Sequence, residues 1–264
     1  MPKGYWRVYG SRVGSVTVRT GLVESAILAA MRDRVVLITG ATGALGRAAA
    51  TAFAADGARL GLVGTNPGRL EAMASDLALP ADRWAPGVGD LRDGAPARAA
   101  VEAVVSRLGP IEVLLHLVGG WTGGASLVDV EPATLHDMLG QHVWSTFHAT
   151  RAVVPAMVER GYGRIVAVTS TAAATPGPRM APYVAAKAAQ EAILRSLARD
   201  VAGTGVTANL IAVKAIDARH ERETAPSPKN ASWTTPDEII ATMRYLCSEE
   251  AAAINGARIP LDGR

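Results

Sequence analysis

The stretch Val35-Val-Leu-Ile-Thr-Gly40-Ala-Thr-Gly43-Ala-Leu-Gly46 decides how the chain is read. Val35 to Ile38 are apolar and mostly β-branched, and they run straight into a glycine-rich turn. A short continuous apolar run bounded by glycine is the pattern of a strand covered on both faces. The alanine-rich stretch that follows, Arg47 to Asp56, reads as a helix. Strand, tight turn and helix make the first half of a mononucleotide-binding βαβ unit. In such a unit Gly40 allows the turn, Gly43 lets the backbone approach a pyrophosphate, and Gly46 lets the helix pack close to the strand. The phosphates would sit on unpaired N–H groups of Thr42, Ala44, Leu45 and their neighbours, where the helix dipole favours negative charge. Alone, the glycine pattern also fits an ordinary βα turn, so the rest of the chain has to decide.

At 264 residues the chain suits one large α/β domain. An apolar content of 49 % with only 5 % aromatic residues fits helices packed closely on a parallel sheet. The single cysteine, Cys247, rules out an internal disulfide and fits a reducing cytosol, so a cytoplasmic location is expected. Cys247 follows Leu246 in a helical pattern and reads as a buried structural thiol rather than a nucleophile. No apolar run approaches the ~20 residues of a membrane span. Residues 1–32 hold five basic residues against Glu24, an excess of +4 that leaves 33–264 near −1 of the chain's +3. The high pI therefore belongs to the extension. The remaining chain has no basic stripe for a nucleic-acid partner. No metal site is read.

Residues 1–30 do not resemble the body, and they lack the apolar core and cleavage pattern of a signal peptide. They are expected to be a mobile arm or an upstream translation artefact, with the domain spanning 31–264. From Arg34 on, strands are predicted near 34–39, 59–63, 84–88, 111–117, 163–169, 206–212 and 257–261. Helices are predicted near 44–56, 67–77, 94–107, 132–140, 143–160, 181–202 and 236–248. This alternation predicts βαβ units in a doubly wound parallel sheet of about seven strands, with helices on both faces. The irregular segment from Ala218 to Thr235 reads as a lid or a disordered loop.

A second signal is Tyr183-Val-Ala-Ala-Lys187. On a helix this spacing puts both side chains on one face, one turn apart. An ammonium held near a tyrosine stabilises the phenolate and lowers its pKa from ~10, which suits a general acid. Ser170 follows the predicted strand Arg164–Thr169, so its hydroxyl would emerge at the carboxyl edge of the sheet, where ligands bind. By itself the Tyr/Lys pair is also a common surface pair.

Together these features resemble the short-chain dehydrogenase/reductase family over roughly Arg34 to Arg264. The resemblance rests on the Thr39-Gly40 turn, Asp90 after the third strand, Gly119-Gly120 after the fourth, and Ser170, Tyr183 and Lys187 at the family's spacing. The final stretch from Asn255 to Gly263 also matches. The resemblance implies a Rossmann-type domain that transfers a hydride between a nicotinamide cofactor and a carbonyl/alcohol pair of a small-molecule substrate. It implies that Tyr183 exchanges the proton at the substrate oxygen. Lys187 would lower the Tyr183 pKa and bind the nicotinamide ribose, and Ser170 would orient the carbonyl. Asp90 and Leu91 would flank the adenine, and Val118 and Gly119, with Gly120 beside them, would line the adenosine ribose. A homodimer or homotetramer built on the helices near 143–160 and 181–202 is implied as well.

The chain departs from the family pattern at several points. Position 44 is alanine where glycine is usual, His116-Leu-Val-Gly119 replaces the usual asparagine-rich turn, and Val213-Lys214 replaces a Pro-Gly. His142 stands where the family has a proton-relay asparagine. A histidine there can hold a water or pass a proton, or it can simply pack against the sheet. Two segments, Gly119–Gly124 and Ser232–Pro236, resemble the dihydropteridine reductase branch, and Trp144 falls where that branch has a tryptophan. Trp121, Trp144 and Trp233 would then stack on a flat substrate, unless they only close the cleft. A nucleotide-binding sensor or assembly subunit with little turnover is the alternative outside enzymes. The stretch Val63-Gly-Thr65-Asn66 carries no carboxylate to select a ribose 2′-hydroxyl. Thr65 and Asn66, with Arg69 one turn on, therefore predict NADP(H) over NAD(H).

Overall fold

The computed structural model describes residues 31–261; the extension at 1–30 and the last three residues lie outside these. Seven strands form one sheet: β1 (Val35–Thr39), β2 (Arg59–Gly64), β3 (Trp84–Val88), β4 (Val113–His116), β5 (Gly163–Ser170), β6 (Val206–Val213) and β7 (Arg258–Leu261). All are parallel, in the spatial order β3-β2-β1-β4-β5-β6-β7. The order reverses between β1 and β4, so the crevice for a ligand opens at their carboxyl ends. The helices are α1 (Ala44–Ala55), α2 (Pro67–Asp76), α3 (Gly94–Leu108), α4 (Pro132–Leu139), α5 (Ser145–Glu159), α6 (Ala181–Asp200), a short α7 (Glu221–Thr224) and α8 (Pro236–Cys247).

The burial of β1 explains its unbroken apolar run. Val36 and Ile38 join one core cluster with Ala49 and Phe53 of α1 and Met243 of α8. Val35 and Leu37 join the opposite cluster with Val104 of α3 and with Ala149 and Val153 of α5. Successive residues point to opposite faces, and both faces are covered, so no polar alternation survives. Each such side chain contributes roughly 1.5–3 kcal/mol on burial. Cys247 is fully buried in the first cluster. Burial pushes its thiol up to about 12, which leaves a packing role and no nucleophile.

Two local features differ from the sequence expectation. The predicted helices near 132–140 and 143–160 are one helical column, in which a π turn at Gly140–Trp144 joins α4 to α5. A π turn inserts one residue without breaking the helix, and apolar spacing read at 3.6 residues per turn registers that only as a gap. The irregular segment contains α7, because the buried Asp217 carboxylate accepts from the backbone N–H groups of Glu221 and Arg222, both at 2.8 Å. The segment is held down by Arg222, which donates to the Trp233 carbonyl at 2.7 Å and to Glu238 of α8 at 2.8 Å.

Candidate active site

The turn after β1 is built as its glycines suggest. Gly40 has φ +67°, and a Cβ there would stand 2.9 Å from the Leu117 carbonyl oxygen. A Cβ on Gly46 would overlap the Gly40 and Ala41 carbonyls, so α1 sits directly on the turn. Gly43 is the N-cap of α1, and no side chain caps it. The first-turn N–H groups are thus presented to a ligand, as an anion requires. Beside the turn lies a cleft of about 300 Å³ lined by Gly40, Thr42, Thr65, Asp90, Leu91 and Val118, together with Arg92, Gln141 and Ser145. Gly40, Gly64 and Gly89 line this space beside a helix N-terminus, and a dinucleotide fits it on those grounds. Asn66 caps α2, its side-chain oxygen accepting from Arg69 N at 3.0 Å. Arg92 was not anticipated. Its guanidinium grips both Asp90 oxygens at 2.6–3.1 Å, and this pairing holds the carboxyl below its usual range.

Ser170 ends β5, and its Oγ accepts from Ala172 N at 3.2 Å. Tyr183, in the first turn of α6, stands near enough for the Ser170 hydroxyl to act on its phenol. Burial raises the Tyr183 phenol above its ordinary value, and the neighbouring Ser170 hydroxyl only partly offsets this. The expectation of a lowered pKa is therefore corrected. Lys187 does lie one turn on, but its Nζ donates to the Val168 carbonyl at 2.9 Å and to Gln190 Oε1 at 3.0 Å. Desolvation brings Lys187 itself down to about 7, which weakens it as a fixed positive charge.

His142 sits in the π turn, buried, with its ring edge-on to Tyr183 at 5.6 Å between centroids. Its Nε2 is 3.0 Å from the Gly120 carbonyl oxygen, so Nε2 carries the proton and Nδ1 is a buried acceptor without a partner. A Cβ on Gly119 would collide with this ring. Burial, then the Lys187 charge, push the imidazole down to about 3. Passage of a proton through its charged form at neutral pH is thereby corrected to a hydrogen-bonding role.

Trp121 is 60 % exposed, and a Cβ on its neighbour Gly123 would lie 2.8 Å from its ring and 2.9 Å from the Arg179 carbonyl oxygen, just ahead of Tyr183. Trp233 lies in the segment pinned by Arg222. Trp144 is not brought to them. It stacks on His148 at 5.6 Å and borders a depression with Arg92 and His136. Trp144 stands two positions after His142, so the two side chains leave opposite faces, and its contacts are with this depression rather than with Tyr183.

Other polar groups behind the site had no motif to announce them. His116 Nδ1 lies 2.9 Å from Thr39 Oγ1 and its Nε2 3.3 Å from Ser145 Oγ, tying β1, β4 and α5 together. Glu191 accepts from Thr169 Oγ1 at 2.9 Å and from Arg258 Nε at 3.0 Å, while Arg258 also donates to the Ser170 carbonyl at 3.0 Å. The only advance signal was helical spacing from Lys187 to Glu191.

A doubly wound parallel sheet with a glycine turn at its switch point, and a Ser, Tyr and Lys at its carboxyl edge, defines a dinucleotide-dependent oxidoreductase. The sequence profile described as short chain dehydrogenase matches residues 34–229, and the chain belongs to that family. It is 31 % identical over 242 residues to D-threitol dehydrogenase of Mycolicibacterium smegmatis, covering 87 % of this chain and 92 % of the relative. It is 28 % identical to 2-(S)-hydroxypropyl-CoM dehydrogenase 3 of Xanthobacter autotrophicus, over 88 % of this chain and 96 % of that one. The crystal structure of levodione reductase superposes with a TM-score of 0.79 at 28 % identity, over 88 % of this chain and 97 % of that one. The chain is thus an NAD(P)-dependent oxidoreductase acting on a CH–OH/C=O pair of a small molecule. Membership carries that reading rather than the one of a sensor without turnover, and it does not single out the pterin-reducing branch. No helix among the described residues is long and apolar enough to cross a membrane.

Proposed function

We propose that this oxidoreductase uses NADP(H) to interconvert flat cyclic carbonyl compounds and their alcohols, with Tyr183 as the acid or base at the substrate oxygen. The observation that carries the reading is Ser170 at the sheet edge beside Tyr183, with Lys187 one turn on along α6. The nicotinamide cofactor, when bound, supplies or accepts the hydride. The Gly40–Gly46 turn, with the N–H groups of Ala44 and Leu45, holds its pyrophosphate. Asp90 and Leu91 flank the adenine, and Val118, Gly119 and Gly120 line the ribose. Thr65 and Asn66 take the 2′-phosphate, since no carboxylate stands between Val63 and Arg69. Ser170 Oγ accepts from Ala172 N and keeps its own proton to donate to the substrate oxygen. Tyr183, with its pKa raised, is protonated at neutral pH and gives that proton in the reducing direction. Lys187 as the ammonium stabilises the phenolate left behind. His142 fixes the Gly120 carbonyl. Trp121 and Trp233 flank the substrate ring. The enzyme is cytoplasmic and works as a homodimer or homotetramer.

Cofactor oxidation across a substrate panel tests the reading. Menadione or quinonoid dihydropterin should exceed a short β-ketoacyl thioester in kcat/KM. Tyr183→Phe should lower kcat/KM by at least ~10²-fold while cofactor binding persists. Trp233→Ala should raise KM for the flat substrate and leave the NADPH dissociation constant unchanged. A faster thioester with a silent Trp233→Ala makes the tryptophans packing residues, and full activity in Tyr183→Phe removes the acid.

A further inference from the structure

Gln190 is fully buried on α6, three residues after Lys187 on the same helical face. A buried amide is costly unless its groups are paired, and here both ends are used. Its Oε1 accepts from Lys187 Nζ at 3.0 Å. Its Nε2 donates to Thr146 Oγ1 at 2.8 Å and to the His142 carbonyl at 3.5 Å. Thr146 Oγ1 donates to the same carbonyl at 2.6 Å. A side-chain amide therefore joins Lys187 to the π turn that carries His142. The other acceptor of Nζ is the Val168 main chain, which no side-chain substitution removes.

We propose that Gln190 is a positioning residue of the reaction: its amide oxygen fixes the Lys187 ammonium and favours its charged form, and its amide nitrogen anchors that arrangement to the π turn. The proposal rests on the role given above to Lys187. An oxygen that accepts from an ammonium stabilises the charged state, so the residue at 190 sets the pH at which Lys187 loses its proton. The other titratable groups facing Lys187 are Tyr183 and Glu191 on α6, His142 in the π turn and His116 at the end of β4. Both histidines titrate near about 3 and stay neutral above that. Glu191 accepts from Arg258 of β7 and from Thr169 of β5. Tyr183 is raised above its ordinary value. Among these groups, Lys187 is the one that titrates near neutral pH.

The test uses Gln190→Leu, which removes the acceptor, and Gln190→Glu, which keeps it and adds charge. The chain has only four lysines, at 3, 187, 214 and 229. NMR of protein labelled at lysine side chains can follow Lys187 directly, its signal assigned by its loss in Lys187→Ala. Its titration should move to lower pH in Gln190→Leu and to higher pH in Gln190→Glu, each by at least about half a pH unit. The descending limb of kcat/KM for NADPH-dependent menadione reduction, or for the best panel substrate, should move in the same two directions. A role in packing alone would not shift the two variants oppositely. If Lys187 titrates unchanged in either folded variant, the proposal is overturned. It is also overturned, with the Lys187 role intact, if the kinetic limb stays still while Lys187→Ala loses activity. Full activity in Lys187→Ala would overturn the reading of the site itself.

Discussion

Lys187 is buried with its ammonium on two oxygens, and desolvation brings it from 10.5 to about 7. Such a group makes stability depend on pH with a definite sign. Between the two values the unfolded chain holds the proton and the folded chain does not, so stability rises with pH across that window. Tyr183 and Cys247, both raised by burial, oppose this only at higher pH. His116 and His142 give the same sign at lower pH, between about 3 and 6.5. Denaturant melts of the wild type from about pH 7 to pH 9 should therefore gain up to roughly 2 kcal/mol, and Lys187→Met should lose that slope. The same variant should lose at least ~10²-fold in kcat/KM while its melting temperature at pH 7 rises by about 2–4 °C. A flat wild-type profile would mean that the folded lysine keeps its proton.

The proposed preference for NADP(H) rests on the carboxyl end of β2. Thr65 lines the cleft, and Asn66 starts α2 as its N-cap. A carboxylate placed there would repel a 2′-phosphate and accept from a 2′-hydroxyl. Thr65→Asp should raise the NADPH dissociation constant at least ~10-fold and lower that for NADH, since like charges in a confined site cost more than in water. A tenfold preference for NADH in the wild type would reverse the assignment. The π turn shows the other side of element-level reading. One extra residue at Gly140–Trp144 turns His142 toward Tyr183 and leaves Trp144 on the outside, an outcome that apolar spacing does not encode.

At the scale of the whole molecule, α5 and α6 cover the same face of the sheet, and Trp144 with Phe147 and His148 forms an aromatic group at the start of α5. Trp144 is 49 % exposed, a large aromatic surface to leave in water. Light scattering should give two or four times the chain mass of 27.3 kDa, and Trp144→Glu should lower it without loss of cofactor binding. A wild-type mass of one chain would remove the oligomer. The segment pinned by Arg222 belongs to this scale too, because its anchor, Glu238, comes from α8 across the loop.

Local pattern was enough for the sheet. Period and glycine placement act within a few residues, so Val35–Thr39, the turn from Gly40 to Gly46 and the succession of seven strands along the chain were legible, and the spacing of Ser170, Tyr183 and Lys187 named the candidate site. The state of those groups was not legible, because a pKa depends on what surrounds a side chain from every direction. Burial of Tyr183, the two oxygens on Lys187 and the neutral ring of His142 come from β5, α6 and the π turn closing on one another. Gln190 meets Lys187 within one turn of α6, but its tie to Thr146 and the bonds of Arg258 to Glu191 and Ser170 join segments far apart in the chain. Sequence determined which reaction class this chain serves; packing decided which partners hold each proton, since desolvation exists only once the elements are assembled.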